Sequence, residues 1–244
     1  MISAVGHLLQ RARRRLSREW GVAPRRVAGV RFYAQGLEDL YLRRVFASGA
    51  PGFYVDVGAH DGCFISNTCA LYQDGWRGIC IEPNPVAYEA LRRQRPRDIC
   101  LNIGVGRREA ERALRWRDNL TEGSSFAPRV GSTAAYTVSV EPLNDILKGH
   151  SVSPEFELLS VDVEGLELEV LSTLDWAIYH PHVVIVEYNT QGAVVLESLD
   201  FLRPCGYKPI MINRWNIMFS RTAEVDILKI HRHQEWYSLD RLRL

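Results

Sequence analysis

No apolar run in this 244-residue chain approaches the ~20 residues that a membrane-spanning helix needs. Charge of one sign is not in excess either. The formal net charge is +1, which removes the electrostatic footprint expected of a nucleic-acid partner. The five cysteines, at 63, 69, 80, 100 and 205, make no CxxC pair and no regular framework. Cys80 and Cys100 sit inside apolar, strand-like runs, where buried free thiols are the default, so a reducing cytoplasm is expected over secretion. Met1 to Leu9 is too short and too broken for the apolar core of a signal peptide. Internal repeats and low-complexity tracts are also missing. What remains is ordinary globular composition, 46% hydrophobic and 24% charged, at a length for one large domain or a domain with an appendage.

The N-terminal stretch departs from that average. Arg11, Arg13, Arg14, Arg15, Arg18, Arg25, Arg26 and Arg31 face a single acid, Glu19. Leu8, Leu9, Ala12, Leu16 and Trp20 recur near helical spacing, so residues 3–19 read as a basic amphipathic helix. Docking on an anionic membrane surface or a partner is one reading, and it would make a cytoplasmic protein membrane-peripheral. The preferred reading is a solvated arm packed by its apolar edge on the domain, or on a second subunit in self-association. Gly21 to Gly29 follows as a linker. The expected division is an arm and linker over 1–30, a main domain over 31–222, and an unplaced tail over 223–244.

From Arg31 the pattern is regular. A helix is expected from Arg31 to about Phe46, then a buried strand over Phe53 to Val57. Gly58 to Gly62 turns the chain into a helix over 65–72, whose start should leave backbone N–H groups free. Strands at 76–82 and 99–103 flank a helix that begins at Pro85. Strand, helix, strand, helix, strand argues an open parallel sheet with helices on its faces. Arg112 to Trp116 and Tyr136 to Val140 read as edge strands around a polar loop, Asp118 to Phe126, which is either a lid or a surface excursion. The alternation then resumes: helix 142–148, strand 156–162, helix 166–174, strand 181–187, helix 196–203, and a final strand pair at 207–212 and 216–220.

Four of these strands end in acids: Asp56, Glu82, Asp162 and Glu187. Ligands of open parallel sheets sit beyond the carboxyl ends of the strands, so these four should converge on one crevice. The plainer alternative is that acids often close strand-to-helix turns. Glu82 falls about 20 residues past the glycine turn, where an acid can accept both hydroxyls of a ribose. A dinucleotide fingerprint, Gly-x-Gly-x-x-Gly, is absent. Gly58-Ala-His-Asp-Gly62 is one residue shorter and carries His60 where the middle glycine would be. That suits a nucleoside cofactor without a pyrophosphate, S-adenosylmethionine foremost, better than NAD. His60 itself reads as a group near cofactor or acceptor, whereas His180 and His182 start a strand on the far rim and read as structural.

An ordered set of motifs then becomes specific. Asp56-Val-Gly-Ala-His-Asp-Gly62, Ser66-Asn-Thr68, Gly75-Trp-Arg-Gly78, Ile81-Glu-Pro-Asn-Pro85 and Leu159-Ser-Val-Asp-Val-Glu-Gly-Leu-Glu167 together resemble the FkbM family of S-adenosylmethionine-dependent methyltransferases. Gln35-Gly-Leu-Glu-Asp-Leu40 resembles the family's lead-in helix, and Asn216-Ile-Met-Phe-Ser-Arg221 its last strand. The resemblance implies an α/β fold, a Rossmann-like class I methyltransferase with a mostly parallel seven-stranded sheet, the last strand antiparallel, and helices on both faces. It implies O-methylation of a hydroxyl on a sugar, glycan or polyketide-type acceptor. By position, Asp56, Gly58, Ala59 and Gly62 would line the methionine end of the cofactor. Glu82 would take the ribose, Pro83 and Asn84 would lie near the adenosine, and Gln35, Asp39, Asn67 and Thr68 would close over the methionine moiety.

A hydroxyl acceptor needs help to lose its proton. Asp162, Glu164, Glu187 and His60 are the candidate catalytic groups. Asp162, Glu187 and Asn189 on one rim could hold a hard, oxygen-liganded ion such as Mg²⁺. The metal-free version has one carboxylate, raised in pKa by its neighbours, take the proton itself. The plain version has Asp162 hold the cofactor or the turn and Glu164 cap the next helix. An NAD- or nucleotide-binding oxidoreductase is disfavoured by the missing fingerprint. A non-catalytic binding module is disfavoured by the intact Asp56, Glu82 and Asp162.

Overall fold

The computed structural model describes residues 25–27, 30–47, 49–116, 133–190, 193–194 and 197–221. The basic helix expected over 3–19, the polar loop over 118–126 and the tail over 223–244 lie outside the described residues.

The described chain opens with two short antiparallel strands, β1 (Arg25–Val27) and β2 (Val30–Phe32), where a linker and the start of a helix were expected. The helix, α1 (Glu38–Val45), begins seven residues later than the Arg31 start expected of it. The reason is local. Asp39 Oδ2 accepts the N–H groups of Tyr33 (2.6 Å) and Ala34 (3.4 Å), and Glu38 Oε2 accepts that of Gly36 (2.7 Å). Those carboxylates offer the amides of residues 33–36 an alternative to helical bonds. Leu37, at φ 72°, then turns the chain into the helix.

Alternation proper follows: β3 (Phe53–Val57), α2 (Cys69–Gln73), β4 (Arg77–Ile81), α3 (Pro85–Gln94) and β5 (Ile99–Leu101). After β6 (Gly104–Val105) come the long β7 (Glu109–Trp116) and β8 (Thr133–Glu141), then α4 (Leu143–Gly149). The second half adds β9 (Leu158–Val161), α5 (Glu167–Ser172), β10 (Val183–Glu187) and a pair of two-residue strands, β11 (Asn189–Thr190) and β12 (Ala193–Val194). It closes with α6 (Glu197–Leu202), β13 (Lys208–Ile212) and β14 (Asn216–Ser220).

Seven strands form the main sheet in the order β13-β14-β10-β9-β3-β4-β5. Only β14 runs against its neighbours; the pairs from β10 to β5 are all parallel. The chain leaves β3 toward β5 and returns to β9 on the other side of β3, so the topological switch lies between β3 and β9. The strands at 109–116 and 133–141 are not edges of this sheet. With β6 they make a separate three-stranded sheet, β6-β8-β7.

Strand pleating divides the core in two. Val55, Val57, Ile79, Ile81, Leu159, Val161, Val184 and Val186 pack against α4, α5 and α6 through Leu143, Leu147, Val170, Leu171, Leu199 and Leu202. Tyr54, Cys80, Leu158, Val183 and Ile185 face α1, α2 and α3 through Tyr41, Leu42, Leu71, Tyr72 and Leu91. Successive residues of β3 thus serve opposite faces, and Asp56 lies on the face of Tyr54. Each fully buried aliphatic side chain contributes about 1.5–3 kcal/mol over its exposed state. That anchoring holds the strand ends at which the acids stand. No helix among the described residues is long and apolar enough to cross a membrane.

Candidate active site

A cavity of about 260 Å³ opens at the carboxyl ends of β3, β4, β9 and β10. Asp56, one residue short of the end of β3, Glu82 and Asp162, which directly follow β4 and β9, and Glu187, which ends β10, all line it. Gln35, Gly58, Ala59, His60, Asn67, Pro83 and Glu164 line it too.

The glycine turn is built for close approach. Gly58 has φ 87°, and a Cβ there would lie 1.7 Å from the Asp162 carbonyl oxygen. Only glycine lets the end of β3 pass the end of β9 at this distance. Gly62 does not line the cavity. A Cβ on it would meet Leu91 Cδ1 at 2.6 Å and Arg95 Cγ at 2.9 Å, so it seats the turn on the end of α3.

Most amides of the glycine turn itself are already bonded. Gly58 and Ala59 both donate to the Ile81 carbonyl, at 2.9 and 3.0 Å, and Gly62 donates to Ala59. His60 N–H goes to Glu82 Oε2 (2.9 Å), and Cys63 and Phe64 N–H go to Asp61 Oδ1. The Thr68 and Cys69 N–H groups go to Ser66 Oγ. With Ile65 at φ 53° the helix starts at Cys69 and not at Ile65. A turn whose amides are already bonded is a poor phosphate cradle.

Glu82 is buried at 5% exposure. Its Oε1 accepts the Asn84 N–H at 2.7 Å and its Oε2 the His60 N–H at 2.9 Å. An ionised carboxylate offers about four lone-pair sites, so each oxygen keeps one for a ligand hydroxyl. Burial pushes the Glu82 carboxyl up to about 7, against the pull of those two amides. Asn84 does not line the cavity; its Oδ1 caps α3 by accepting from Val86 (2.9 Å) and Ala87 (3.4 Å).

Asp56 Oδ2 accepts the Thr68 hydroxyl at 2.5 Å, and Ser160 lies opposite Asp56 across β3 and β9. Asn67 Nδ2 donates to the same Ser160 Oγ at 3.2 Å. Burial pushes the Asp56 carboxyl up, while the Thr68 hydroxyl and the charge of Arg95 pull it down. Thr68 is fully buried behind the cavity. Asp39 also stays out of it, and its carboxyl is pushed up to about 6 by burial. Asp39 and Glu38 instead fold the loop that delivers Gln35. Glu38 Oε1 extends this clamp to Asn213 (2.5 Å) and Asn216 (2.7 Å).

On the other side of the switch, Asp162 and Glu187 stand at the adjoining ends of the paired strands β9 and β10, both on the cavity wall. Burial raises both carboxyls; the charges of Glu164 and Glu167 add to it for Asp162, and those of Asp162, Glu164 and Glu167 for Glu187. Two adjoining buried carboxylates resist ionising together, so the pair favours holding one proton. Glu164 stands beside them at φ 61°. The Val163-Glu-Gly165 turn is folded by Glu167, not Glu164: Glu167 Oε1 accepts from Val163 (3.1 Å) and Gly165 (2.9 Å). Burial lowers the His60 imidazole, which is therefore neutral near pH 7. His60, Ile65 and Glu164 all hold left-handed backbone at the cavity wall, a concentration of strain that marks functional sites.

The Mg²⁺ site finds little support. Among the described residues, no group of three or more His, Cys, Asp or Glu is placed to hold a metal ion. Asn189 is described in its backbone only, at the start of β11, and its side chain lies outside the described residues. The fit is better for a nucleoside cofactor. It rests on the open acceptor sites of Glu82 and on a glycine turn with its amides already taken.

Several wall residues were not singled out as site groups from the sequence. Ile103, Val105 and Leu114, from β6 and β7 and the residue before β6, close one side of the cavity. Phe64, Ile65, Ser66, Ser160, Val163 and Leu166 complete the lining around the acids.

The strand order, the lone antiparallel β14 and the crevice at the β3/β9 switch define a Rossmann-like, S-adenosylmethionine-dependent methyltransferase. The family model described as the methyltransferase FkbM domain matches residues 56–209, well over half of the chain, and the protein belongs to that family. Among solved structures, one similar chain is a TehB-like SAM-dependent methyltransferase from Corynebacterium glutamicum, at 10% identity, covering 91% of this chain and 100% of that one, with a TM-score of 0.46. Another is precorrin-6y C5,15-methyltransferase from Geobacter metallireducens, at 11% identity, 75% and 87% coverage and a TM-score of 0.43. A third is the 1,6-didemethyltoxoflavin-N1-methyltransferase of Burkholderia thailandensis with 1,6-didemethyltoxoflavin and S-adenosylhomocysteine bound, at 10% identity, 76% and 77% coverage and a TM-score of 0.41. No curated protein matches the chain.

Proposed function

We propose that this methyltransferase acts on a hydroxyl oxygen of a sugar, glycan or polyketide-type acceptor. The observation that carries the reading is the pair of carboxylates Asp162 and Glu187, at the adjoining ends of β9 and β10 on the cavity wall. When bound, S-adenosylmethionine supplies an electrophilic methyl group on a sulfonium sulfur. The chain's part is to bind, orient and accept a proton. Glu82 takes the ribose hydroxyls on the two acceptor sites left by the His60 and Asn84 amides. Asp56, held by Thr68, sets a carboxylate at the methionine end. A hydroxyl is a poor nucleophile while protonated. The ionised member of the Asp162–Glu187 pair accepts that proton on a carboxylate oxygen as the acceptor oxygen takes the methyl group. The walls of Phe64, Ile65, Val105 and Leu114 keep water from the reacting oxygen.

The test is S-adenosylhomocysteine release from S-adenosylmethionine against a panel of sugar, glycan and polyketide alcohols, with the matching amines and thiols as controls. Turnover confined to alcohols supports the reading. Turnover confined to amines or thiols overturns it.

A further inference from the structure

Arg95 is the largest fully buried side chain of the described protein, at 1% exposure, and it lines no part of the cavity. All five of its N–H groups have acceptors within reach. Nε donates to the Gly62 carbonyl at 2.6 Å. Nη2 donates to Thr68 Oγ1 at 2.6 Å and to Ser66 Oγ at 3.3 Å. Nη1 donates to the Tyr54 hydroxyl at 2.9 Å and to Asp98 Oδ2 at 3.4 Å. The guanidinium also lies 4.8 Å from the Tyr72 ring centroid.

The two shortest of these contacts go to the two ends of one segment, Gly62 to Thr68. That segment carries Phe64, Ile65, Ser66 and Asn67 into the cavity wall. From Thr68 the chain of bonds continues to Asp56 Oδ2. A planar fork of five donors can span both ends of a segment; a lysine's compact ammonium cannot. Burying a guanidinium is costly, and the pair with Asp98 is weak support for stability by itself.

We propose that Arg95 is the positioning residue of the cofactor half of the site: it clamps the Gly62–Thr68 segment and, through the Thr68 hydroxyl, aims Asp56 into the cavity. This rests on the reading of Asp56 as a cofactor group.

The experiment measures S-adenosylhomocysteine affinity by calorimetry and thermal stability for Thr68→Val, Thr68→Ser, Arg95→Lys and the Arg95→Lys/Thr68→Val double variant. Thr68→Val keeps the shape, removes the relay and leaves Arg95 in place. It should bind about tenfold more weakly, as expected for a lost charge-assisted hydrogen bond, in a protein that melts somewhat lower but is fully folded at the temperature of the titration. Thr68→Ser should bind like wild type. Arg95→Lys should lose affinity too, and the double variant should lose no more than the weaker-binding single variant, because both substitutions break one chain. In turnover, KM for S-adenosylmethionine should rise while kcat at saturation stays within a few-fold. Wild-type affinity in folded Thr68→Val overturns the proposal, as do losses that add in the double variant. Should Arg95→Lys fail to fold, Thr68→Val and Thr68→Ser decide alone. Wild-type protein that binds no S-adenosylhomocysteine would overturn the cofactor reading itself, and this inference with it.

Discussion

Glu82 Oε2 accepts the backbone N–H of His60, and Glu82 Oε1 accepts that of Asn84, so one buried carboxylate ties the glycine turn after β3 to the start of α3. Its proton is part of the binding reaction. Burial raises the folded carboxyl from an ordinary 4.5 to about 7. A raised acid keeps a proton that the unfolded chain has shed. This group therefore destabilises the free protein as pH rises from about 4.5 through about 7. Ribose hydroxyls donate to the ionised form and so favour it.

Cofactor affinity should accordingly strengthen as pH rises toward about 7 and level off above it, with a proton released on binding below that pH. Calorimetry of S-adenosylhomocysteine binding in two buffers of different ionisation enthalpy reads the proton directly. Equal heats in the two buffers on the acid side would show that Glu82 does not change its protonation.

Gly58→Ala should damage the fold and not only the site. The left-handed backbone alone costs a β-carbon about 1–3 kcal/mol, and the new atom would fall 1.7 Å from the Asp162 carbonyl oxygen. A thermal melt should show a clear drop for Gly58→Ala. A variant that melts with wild type would mean that the β3 and β9 ends are not held this close.

Glu187→Gln and Asp162→Asn should each lower turnover by about 10²-fold or more, the usual loss when a general base goes, while S-adenosylhomocysteine affinity stays within a few-fold. Steady-state kinetics beside calorimetry separates the two effects. Loss of cofactor binding in Asp162→Asn would move Asp162 into the cofactor shell and leave Glu187 as the acceptor of the proton.

Much of this site was legible because its signals are local. An apolar run, an acid and a glycine turn lie within a few residues of one another at Asp56 and Gly58, and the strand-end acids follow from that same pattern at Glu82, Asp162 and Glu187. Parallel strands place such ends on one rim, and the four acids do meet at one cavity. What stayed hidden depends on distant partners. Arg95 reads as one more basic residue in a helix end, since Gly62, Thr68 and Tyr54 lie 27 to 41 positions away in sequence. Leu114 lines the cavity from β7, which pairs with β8, and neither strand announces which sheet it joins. Glu38 and Asp39 look like ordinary first-turn helix acids. That they bond backward to residues 33–36 is a structural fact that the acids' placement after Gly36 only hints at.

The most direct test of the account is calorimetric titration of S-adenosylhomocysteine into wild-type protein and Glu82→Ala. Saturable binding to wild type is expected, with a loss of about 1–3 kcal/mol in Glu82→Ala, the value of hydrogen bonds to a charged acceptor. No binding to wild type, or equal affinity in Glu82→Ala, would contradict it.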